Sequence, residues 1–266
     1  MSKQPDVVFA EVRKQTITDI VNKMGKATVS YLCEHFSVSP ATIRNDLREL
    51  EEAGAIKRTH GGAISSSRIN YEPVTSQKEV VRVAQKQAIA KLAATFIQPG
   101  DAIALDTGTT TMELAKQLSG IDNLTVVTND IQIASYLERN TDVMIILAGG
   151  ALRRHFHCTV GQMAIESISD LHVDKAFMAA NGVHPTKGVT TPNMDMASIK
   201  AHMVDAADEV YLLADSSKLG KAAFITFTTL SNVDIMITDQ EADPAFVDAV
   251  KQLGVDVRLA GIDNKQ

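Results

Sequence analysis

The run Leu105-Asp106-Thr107-Gly108-Thr109-Thr110-Thr111 closes a β-rich apolar segment and opens a helical pattern. A strand-to-helix turn aims backbone N–H groups and the positive end of the helix dipole at one point, and small hydroxyl residues let an anion come close. A phosphate fits such a turn; a capped tight turn without ligand is the plain alternative. Neither a Gly-x-x-x-x-Gly-Lys-Ser/Thr loop nor a Gly-x-Gly-x-x-Gly turn occurs, which disfavours a nucleotide. Polar punctuation also follows other apolar runs: Thr128-Asn129-Asp130, Ala148-Gly149-Gly150 with Arg153 nearby, Asn181-Gly182, and Ala214-Asp215-Ser216-Ser217-Lys218. In an open parallel sheet the carboxyl ends of the strands converge on one crevice, where ligands bind. Asp106 or Asp215 suits a sugar hydroxyl, and Lys218 and Arg153 suit a phosphate. Taken singly, each is equally well explained as a solvated loop charge or a turn former.

A second group lies between residues 28 and 60. Ser39 is a strong N-cap with Pro40 at the first helical position, and Ile43, Leu47, Leu50 and Ala53 form the inward stripe of the helix they open. Its outward face carries Pro40, Ala41, Thr42, Arg44, Asn45 and Arg48. Arg44 suits a guanine or a phosphate, Asn45 an adenine or a phosphate, and the methyls of Ala41 and Thr42 suit thymine. Lys57, Arg58, Thr59 and His60 follow beside small glycines, a group suited to backbone or minor-groove contact. Read as DNA chemistry, these residues belong to a recognition helix and a wing. The alternative is a three-helix dimerisation or protein-binding module in which Arg44 and Arg48 pair with Asp46, Glu49, Glu51 and Glu52.

The elements that must position these groups are legible in the apolar spacing. Val12, Ile17, Ile20, Val21 and Met24 predict a helix over about 8–24 that stops at Gly25. Thr28 caps a second helix whose face is Val29, Leu32 and Phe36. The third helix, from Ser39, is closed by Gly54. Residues 55–64 predict two short strands around a Gly-Gly turn, completing the order of a winged helix-turn-helix. Residues 65–84 are polar, with Ser65-Ser66-Ser67 and Pro73, and suit a linker or connecting helix. Beyond them, strand-like runs at 102–106, 124–128, 143–148, 175–180, 209–214 and 233–238 alternate with helical patterns at 86–97, 109–119, 130–139, 160–169, 195–207 and 243–253. That alternation predicts an α/β domain with a mainly parallel sheet covered on both faces. The expected division is therefore 1–64 for the winged helix-turn-helix, 65–84 for the linker and 85–266 for a larger, ligand-binding domain.

Composition sets the outer bounds. The 266 residues include 45% hydrophobic and 22% charged residues, an ordinary globular balance. No apolar run approaches the ~20 residues of a membrane span, and the polar start Met1-Ser2-Lys3-Gln4-Pro5-Asp6 lacks the order of a signal peptide, so a cytoplasmic protein without membrane contact is expected. Cys33 and Cys158 are far apart and make no metal-type or redox-type pair; both suit small buried positions. The net charge of −6 argues at first against nucleic acid. Yet residues 1–65 hold nine Lys/Arg against eight Asp/Glu, whereas the remainder holds 17 against 24. The acidity thus belongs to the larger part of the chain and says little about the N-terminal module.

Val38-Ser39-Pro40-Ala41-Thr42-Ile43-Arg44-Asn45-Asp46-Leu47-Arg48-Glu49-Leu50-Glu51, followed by Arg58-Thr59-His60-Gly61-Gly62-Ala63, resembles the signature of the DeoR family of bacterial transcriptional regulators. The resemblance continues through Asp106 to Leu114, Leu147 to Leu152, Asp174-Lys175-Ala176-Phe177, Gly188-Val189-Thr190-Thr191 and Ala214-Asp215-Ser216-Ser217-Lys218. It implies a C-terminal sensor domain similar in fold to ribose 5-phosphate isomerase, with a phosphorylated sugar as effector and Asp106, Thr107, Gly108, Thr109, Thr110 and Thr111 around its phosphate. It also implies double-stranded operator DNA as partner. One recognition helix reads only a few base pairs, so a dimer or tetramer on repeated half-sites is expected, and no cofactor is expected. A repressor of carbohydrate uptake or catabolism genes is the function expected. Asn45 departs from the family, which usually has a second arginine there. Met196 and Ala201 likewise depart from a usual glutamate and basic residue.

Two other chemistries fit the sequence less well. A sugar-phosphate isomerase needs a carboxylate base over the carbon-bound proton. The isomerases carry Asp-Gly-Ala-Asp-Glu and a later Arg-Glu-Lys, where this sequence has Asp174-Lys175-Ala176-Phe177 and Ala197-Ser198-Ile199-Lys200, so no enzymatic activity is expected. His155-Phe156-His157-Cys158 places alternate histidines where an extended segment can direct both at one ion, but no carboxylate or second thiol is near in sequence, and a loop after the Gly-Gly pair is the expectation.

Overall fold

The computed structural model describes residues 5–65 and 72–262, so residues 66–71 of the expected linker lie outside it. The chain forms two compact units, meeting in sequence between Val81 and Arg82.

The first unit contains α1 (Pro5–Met24), β1 (Lys26–Thr28), α2 (Val29–Phe36), α3 (Pro40–Glu52), β2 (Ile56–Thr59), β3 (Gly62–Ser65) and α4 (Thr75–Glu79). Local chemistry fixes the boundaries of the two central helices. The Thr28 hydroxyl accepts from Tyr31 N–H at the start of α2, and the Ser39 hydroxyl accepts from Thr42 N–H at the start of α3, which has Pro40 in its first turn. Ser37, between them, takes the left-handed conformation. The core is Ile17, Val21, Leu32, Ile43, Leu47, Leu50, Ile56 and Ala63; burying each of the large aliphatics contributes about 1.5–3 kcal/mol.

Several sequence expectations are corrected here. Val12 and Met24 are exposed. Val12 lies nine positions before Val21, about two and a half turns at ~3.6 residues per turn, and so faces the other way. Ala53 is the exposed C-cap of α3 rather than part of its inward stripe. Cys33 is half-buried rather than buried. The three-residue β1 has too few apolar residues to be seen in the pattern. It pairs antiparallel with β3, which also pairs with β2, giving the order β1-β3-β2. Gly62 lies within β3 rather than in the turn, and a Cβ there would stand 2.0 Å from the Ala27 carbonyl oxygen.

The second unit adds α5 (Val83–Ala94), β4 (Ala102–Leu105), α6 (Thr109–Ala115), β5 (Thr125–Thr128), α7 (Ile131–Asn140), β6 (Met144–Leu147), β7 (Ala151–Arg153), β8 (Cys158–Val160), α8 (Gln162–Ser169), β9 (Val173–Ala179), β10 (Gly182–His184), β11 (Gly188–Thr191), α9 (Met194–Asp205), β12 (Ala207–Leu213), β13 (Ile225–Thr228), β14 (Ile235–Asp239), α10 (Pro244–Lys251) and β15 (Asp256–Ala260). Seven strands form one sheet in the order β15-β14-β12-β9-β4-β5-β6, with every neighbouring pair parallel. The expected α/β architecture is therefore present. The pleat sends successive residues to opposite faces: Phe177, Tyr211 and Ile237 enter one core with Ile89, Leu114 and Ile133, while Met178, Leu212 and Met236 enter another with Ile199, Met203 and Val250.

The short strands β7, β8, β10, β11 and β13 and the edge strand β15 were not foreseen. β7 and β8 make an antiparallel hairpin, so residues 154–157 are its tip rather than an isolated loop. β10, β11 and β13 form a small antiparallel sheet. Part of the expected linker is also ordered, since it contains α4 and the first residues of α5.

Candidate functional site

In the first unit Asp46, Glu49 and Glu51 of α3 are engaged by cations from other elements, while Glu52 faces Arg48 of the same helix. Asp46, 4% exposed, accepts Arg13 Nε at 2.6 Å and Arg13 Nη2 at 3.0 Å. Glu49 accepts Lys14 Nζ at 2.9 Å, and the Lys14 ammonium holds its carboxyl below the usual range. Glu51 pairs with Arg58 at 2.9 Å and also accepts the Arg58 backbone N–H. Arg48 donates to Asn45 Oδ1 at 2.5 Å and stands 3.9 Å from Glu52, while Asn45 Nδ2 donates to Glu49 Oε1 at 2.8 Å.

Arg44 is exposed and makes no ion pair among the described residues. Pro40, Ala41, Asn45 and Arg48 are exposed with it, and Thr42 is half-buried with its hydroxyl against that of Ser39 at 2.9 Å. Lys57, Thr59 and His60 are exposed on or beside β2, as is Thr28 at the start of α2. The charge pairing expected of a purely protein-binding module, Arg44 and Arg48 neutralised by the acids of their own helix, is thus absent for Arg44 among the described residues.

In the second unit the candidate residues fall into two groups. β5 and β6 continue the sheet on one side of β4, whereas β9 lies on its other side, so the topological switch falls between β4 and β9. Asp106, which follows β4, lies at that point. It is wholly buried; its Oδ2 accepts the Ala179 N–H at 2.9 Å and pairs with the Lys200 ammonium of α9. Lys200 also donates to the Ala179 carbonyl at 3.0 Å. Burial pushes the Asp106 carboxyl above its ordinary range, against the pull of Lys200.

Thr107 donates to Asp130 Oδ2 at 2.5 Å, and the other Asp130 oxygen caps α7 by accepting Gln132 and Ile133 N–H. Burial raises the Asp130 carboxyl too. Gly108 allows the turn to approach β9, since a Cβ there would stand 3.0 Å from Ala179 Cβ. Thr110 and Thr111 are buried, the latter donating to the Gly108 carbonyl, while Thr109 is half-buried. Thr128 and Asn129 are buried beside them, and Asp106 Oδ1 and Asn129 Oδ1 have no hydrogen-bond partner among the described residues.

Asp215, 3% exposed, follows β12 and belongs to the second group. It faces Arg82 Nε at 3.0 Å and caps the following turn through Ser217 N–H. Arg82 Nη2 also reaches Ser216, Asp239 and Glu241. β9 separates β12 from β4, so the two groups stand about 10 Å apart at ~4.8 Å per strand. Lys218 is half-buried beside Asp215. Gly182 opens β10 against the Lys221 carbonyl, and Gly149 and Gly150 are exposed ahead of the β7–β8 hairpin, which carries Arg153.

Sequence reading therefore assembled the turn and pointed to Asp130 as strand-end polar punctuation, but missed the roles of Lys200, Arg82 and Asp239. Lys200 had a signal: it lies in the inward stripe Met196, Ile199, Lys200 and Met203, and a lysine there demands a buried partner. Among the described residues, no group of three or more His, Cys, Asp or Glu is clustered as a metal site. Cys158 is buried with its thiol 3.6 Å from Met196 Sδ. None of the described helices is long and apolar enough to cross a membrane.

Residues 13–68 match the DeoR-like helix-turn-helix domain and residues 81–240 the DeoR C terminal sensor domain. The chain is similar to the HTH-type transcriptional regulator GlpR of Haloferax volcanii, with 38% identity over 92% of this chain and 96% of that protein. It is also similar to the HTH-type transcriptional repressor GlcR of Bacillus subtilis, with 34% identity over 96% and 98%. Among solved structures, ribose 5 phosphate isomerase A from Neisseria gonorrhoeae covers 55% of this chain with 56% of its own, at 16% identity and a TM-score of 0.39. With both halves matched and relatives aligned along nearly their whole length, the chain belongs to the DeoR family of helix-turn-helix transcriptional regulators.

Proposed function

We propose that this protein is a cytoplasmic repressor of a carbohydrate uptake or catabolism operon, released or engaged by a phosphorylated sugar. The observation that carries the DNA half is Arg44, exposed on the first turns of α3 without an ion-pair partner among the described residues while Asp46, Glu49 and Glu51 are held by Arg13, Lys14 and Arg58. Arg44, Asn45 and Arg48 read the major groove beside Ser39, Pro40, Ala41 and Thr42; Thr28 contacts the backbone, and Lys57, Arg58, Thr59 and His60 form the wing. One such helix reads only a few base pairs, so a dimer or tetramer on repeated half-sites supplies affinity and specificity.

The sensor half takes the sugar ester at the carboxyl ends of β4 and β5. The functional division follows 1–64, 65–84 and 85–266. The ligand changes DNA affinity only to the extent that it binds one arrangement of subunits better than the other. This reading includes no turnover of a sugar phosphate; in its favour, Asp106 at the switch point is wholly buried and held by Lys200 and the Ala179 N–H.

Selection of genomic fragments by the intact protein, with sequencing of what is retained, tests this. Enrichment of repeated half-sites beside sugar transport or kinase genes, lost in Arg44→Ala, is the expected result; equal enrichment by Arg44→Ala removes that residue from the interface. Thr109→Asp places a carboxylate in the crevice and is expected to give DNA binding that ignores sugar phosphates. A response retained in that variant moves the effector site elsewhere.

A further inference from the structure

β6 closes one edge of the seven-stranded sheet and β15 the other. An edge strand presents a row of unpaired backbone groups, and sheets that stay single blunt it with charge. β15 is blunted in this way: Asp256 and Arg258 are exposed on it and pair at 2.7 Å. β6 reads Met144-Ile145-Ile146-Leu147, with no charged residue, and Met144 and Leu147 are 65% and 45% exposed. Leu152 of β7 and Met163 of α8, which follow it in the chain, are exposed as well.

The ladder shows which backbone groups of β6 are free. Met144 N–H donates to the Leu124 carbonyl at 2.9 Å and Ala148 N–H to the Thr128 carbonyl at 2.8 Å. Alternate residues of a strand face the same neighbour, so Ile146 also faces β5. Ile145 and Leu147 therefore turn their N–H and carbonyl groups outward, where no hydrogen bond engages them among the described residues.

Charge singles out the same edge. Residues 66–266 carry 17 Lys/Arg against 24 Asp/Glu, so two copies of this domain repel over most of their surface. The 23 residues from 143 to 165 contain no Asp or Glu, and they include Arg153 and Arg154. Asp142, which is exposed, stands immediately before β6. In an antiparallel pair of such edges, Asp142 of one copy lies toward the Gly149-Gly150 and Arg153-Arg154 end of the other.

We propose that β6 is where two copies of this chain meet, pairing antiparallel with itself about a two-fold axis at Ile146. Ile145 of each copy then stands opposite Leu147 of the other, and the two exchange both backbone hydrogen bonds, while Ile146 faces its own counterpart. Met144 falls opposite Ala148 and Asp142 opposite Gly150, so a large side chain meets a small one and no carboxylate meets another. The edge calls for an extended, uncharged strand, and the second copy needed to read repeated half-sites supplies one. To that extent the inference rests on the proposed function.

Sedimentation velocity of the full-length protein over a range of concentrations tests it, with Leu147→Lys, Leu147→Pro and, on the opposite edge, Leu259→Lys. Proline at an outward-facing edge position removes no bond within the sheet, and thermal melting checks that each variant is folded. Wild type is expected to dimerise. Both Leu147 variants are expected to weaken the dimer about tenfold or more, and Leu259→Lys to leave it unchanged. Ile146→Cys sets two thiols face to face and is expected to give a covalent dimer on mild oxidation, which wild type, with Cys33 and Cys158 alone, does not give.

A monomeric wild type overturns the proposal, whether or not a strand of another protein occupies the edge. So does a dimer that the folded Leu147 variants leave intact, or one that Leu259→Lys weakens equally; the subunits then meet elsewhere and the regulator reading stands. A dimer weakened at Leu147 alone supports the edge assignment even where no operator is found, so the two readings fail separately.

Discussion

Arg82 and Asp239 meet at 3.2 Å where the chain enters its second unit, and Asp239 is wholly buried. The same guanidinium faces Asp215 at 3.0 Å, and Arg82 takes a left-handed backbone, φ 54°, to place it there. Removing the cation leaves two buried carboxylates without their partner. Arg82→Ala is therefore expected to destabilise the second unit by about 3 kcal/mol in urea denaturation. Arg82→Lys recovers only part of that, because an ammonium cannot span both acids as the fork does. A melt unchanged in both variants would show the cluster to be energetically idle.

Burial alone would raise the Asp239 carboxyl, but the Ser216 N–H and hydroxyl, the Glu241 N–H and Arg82 outweigh it and hold the group below its ordinary range. Its unfolded value is ~3.9. A carboxyl depressed in the folded state adds stability that is present above the unfolded value and is lost as pH falls through the folded one. Asp239→Asn is thus expected to be less stable than wild type at pH 7, with the gap closing below about pH 4. Denaturation at a series of pH values checks the sign; a gap that widens on acidification contradicts it.

Asp106 and Lys200 form a buried pair whose members are 0% and 4% exposed. Asp106→Asn strands the ammonium, with an expected cost of about 3–5 kcal/mol. The double variant Asp106→Asn/Lys200→Met removes both charges and is expected to cost less than the sum of the single changes by at least ~1 kcal/mol. Additive costs in a double-mutant cycle would mean that the two side chains do not act as a pair.

Gly62→Ala tests a backbone contact. The new methyl would stand 2.0 Å from the Ala27 carbonyl oxygen and 2.7 Å from Thr28 Cα, so β1 and β3 must separate. Overpacking of this kind costs about 1–3 kcal/mol. The first unit should melt earlier and operator binding fall, whereas Gly61→Ala, at a position open to solvent, should do neither.

Burial pushes the Cys158 thiol up to about 11, while Cys33 is half-buried. At pH 8 about one Cys158 in a thousand is thiolate, which makes it a poor nucleophile. Alkylation of folded protein followed by mass spectrometry is expected to label Cys33 first, with Cys158 reacting only after denaturant is added.

The sequence by itself determined what local chemistry determines. Ser39 and Pro40 start α3, Thr28 caps α2, and apolar runs such as Ala102–Leu105 alternate with amphipathic helices, so the winged helix and the parallel α/β sheet were both legible. Short-range periodicity carries that information because caps and stripes depend on neighbours within one or two turns. The short strands were beyond it, since the three residues of β1 or β7 offer too little pattern and are held by pairing with distant segments. The tertiary structure alone decided the partners of charged groups. Asp46 turns to Arg13, 33 residues away; Asp106 to Lys200, 94 away; Asp239 to Arg82, 157 away. No spacing rule reaches that far. A buried charge takes whichever counter-ion the tertiary fold brings beside it: in the second unit, β9 placed next to β4 gathers Asp106, Ala179 and Lys200 at one point, and in the first unit the packing of α1 on α3 brings Arg13 to Asp46.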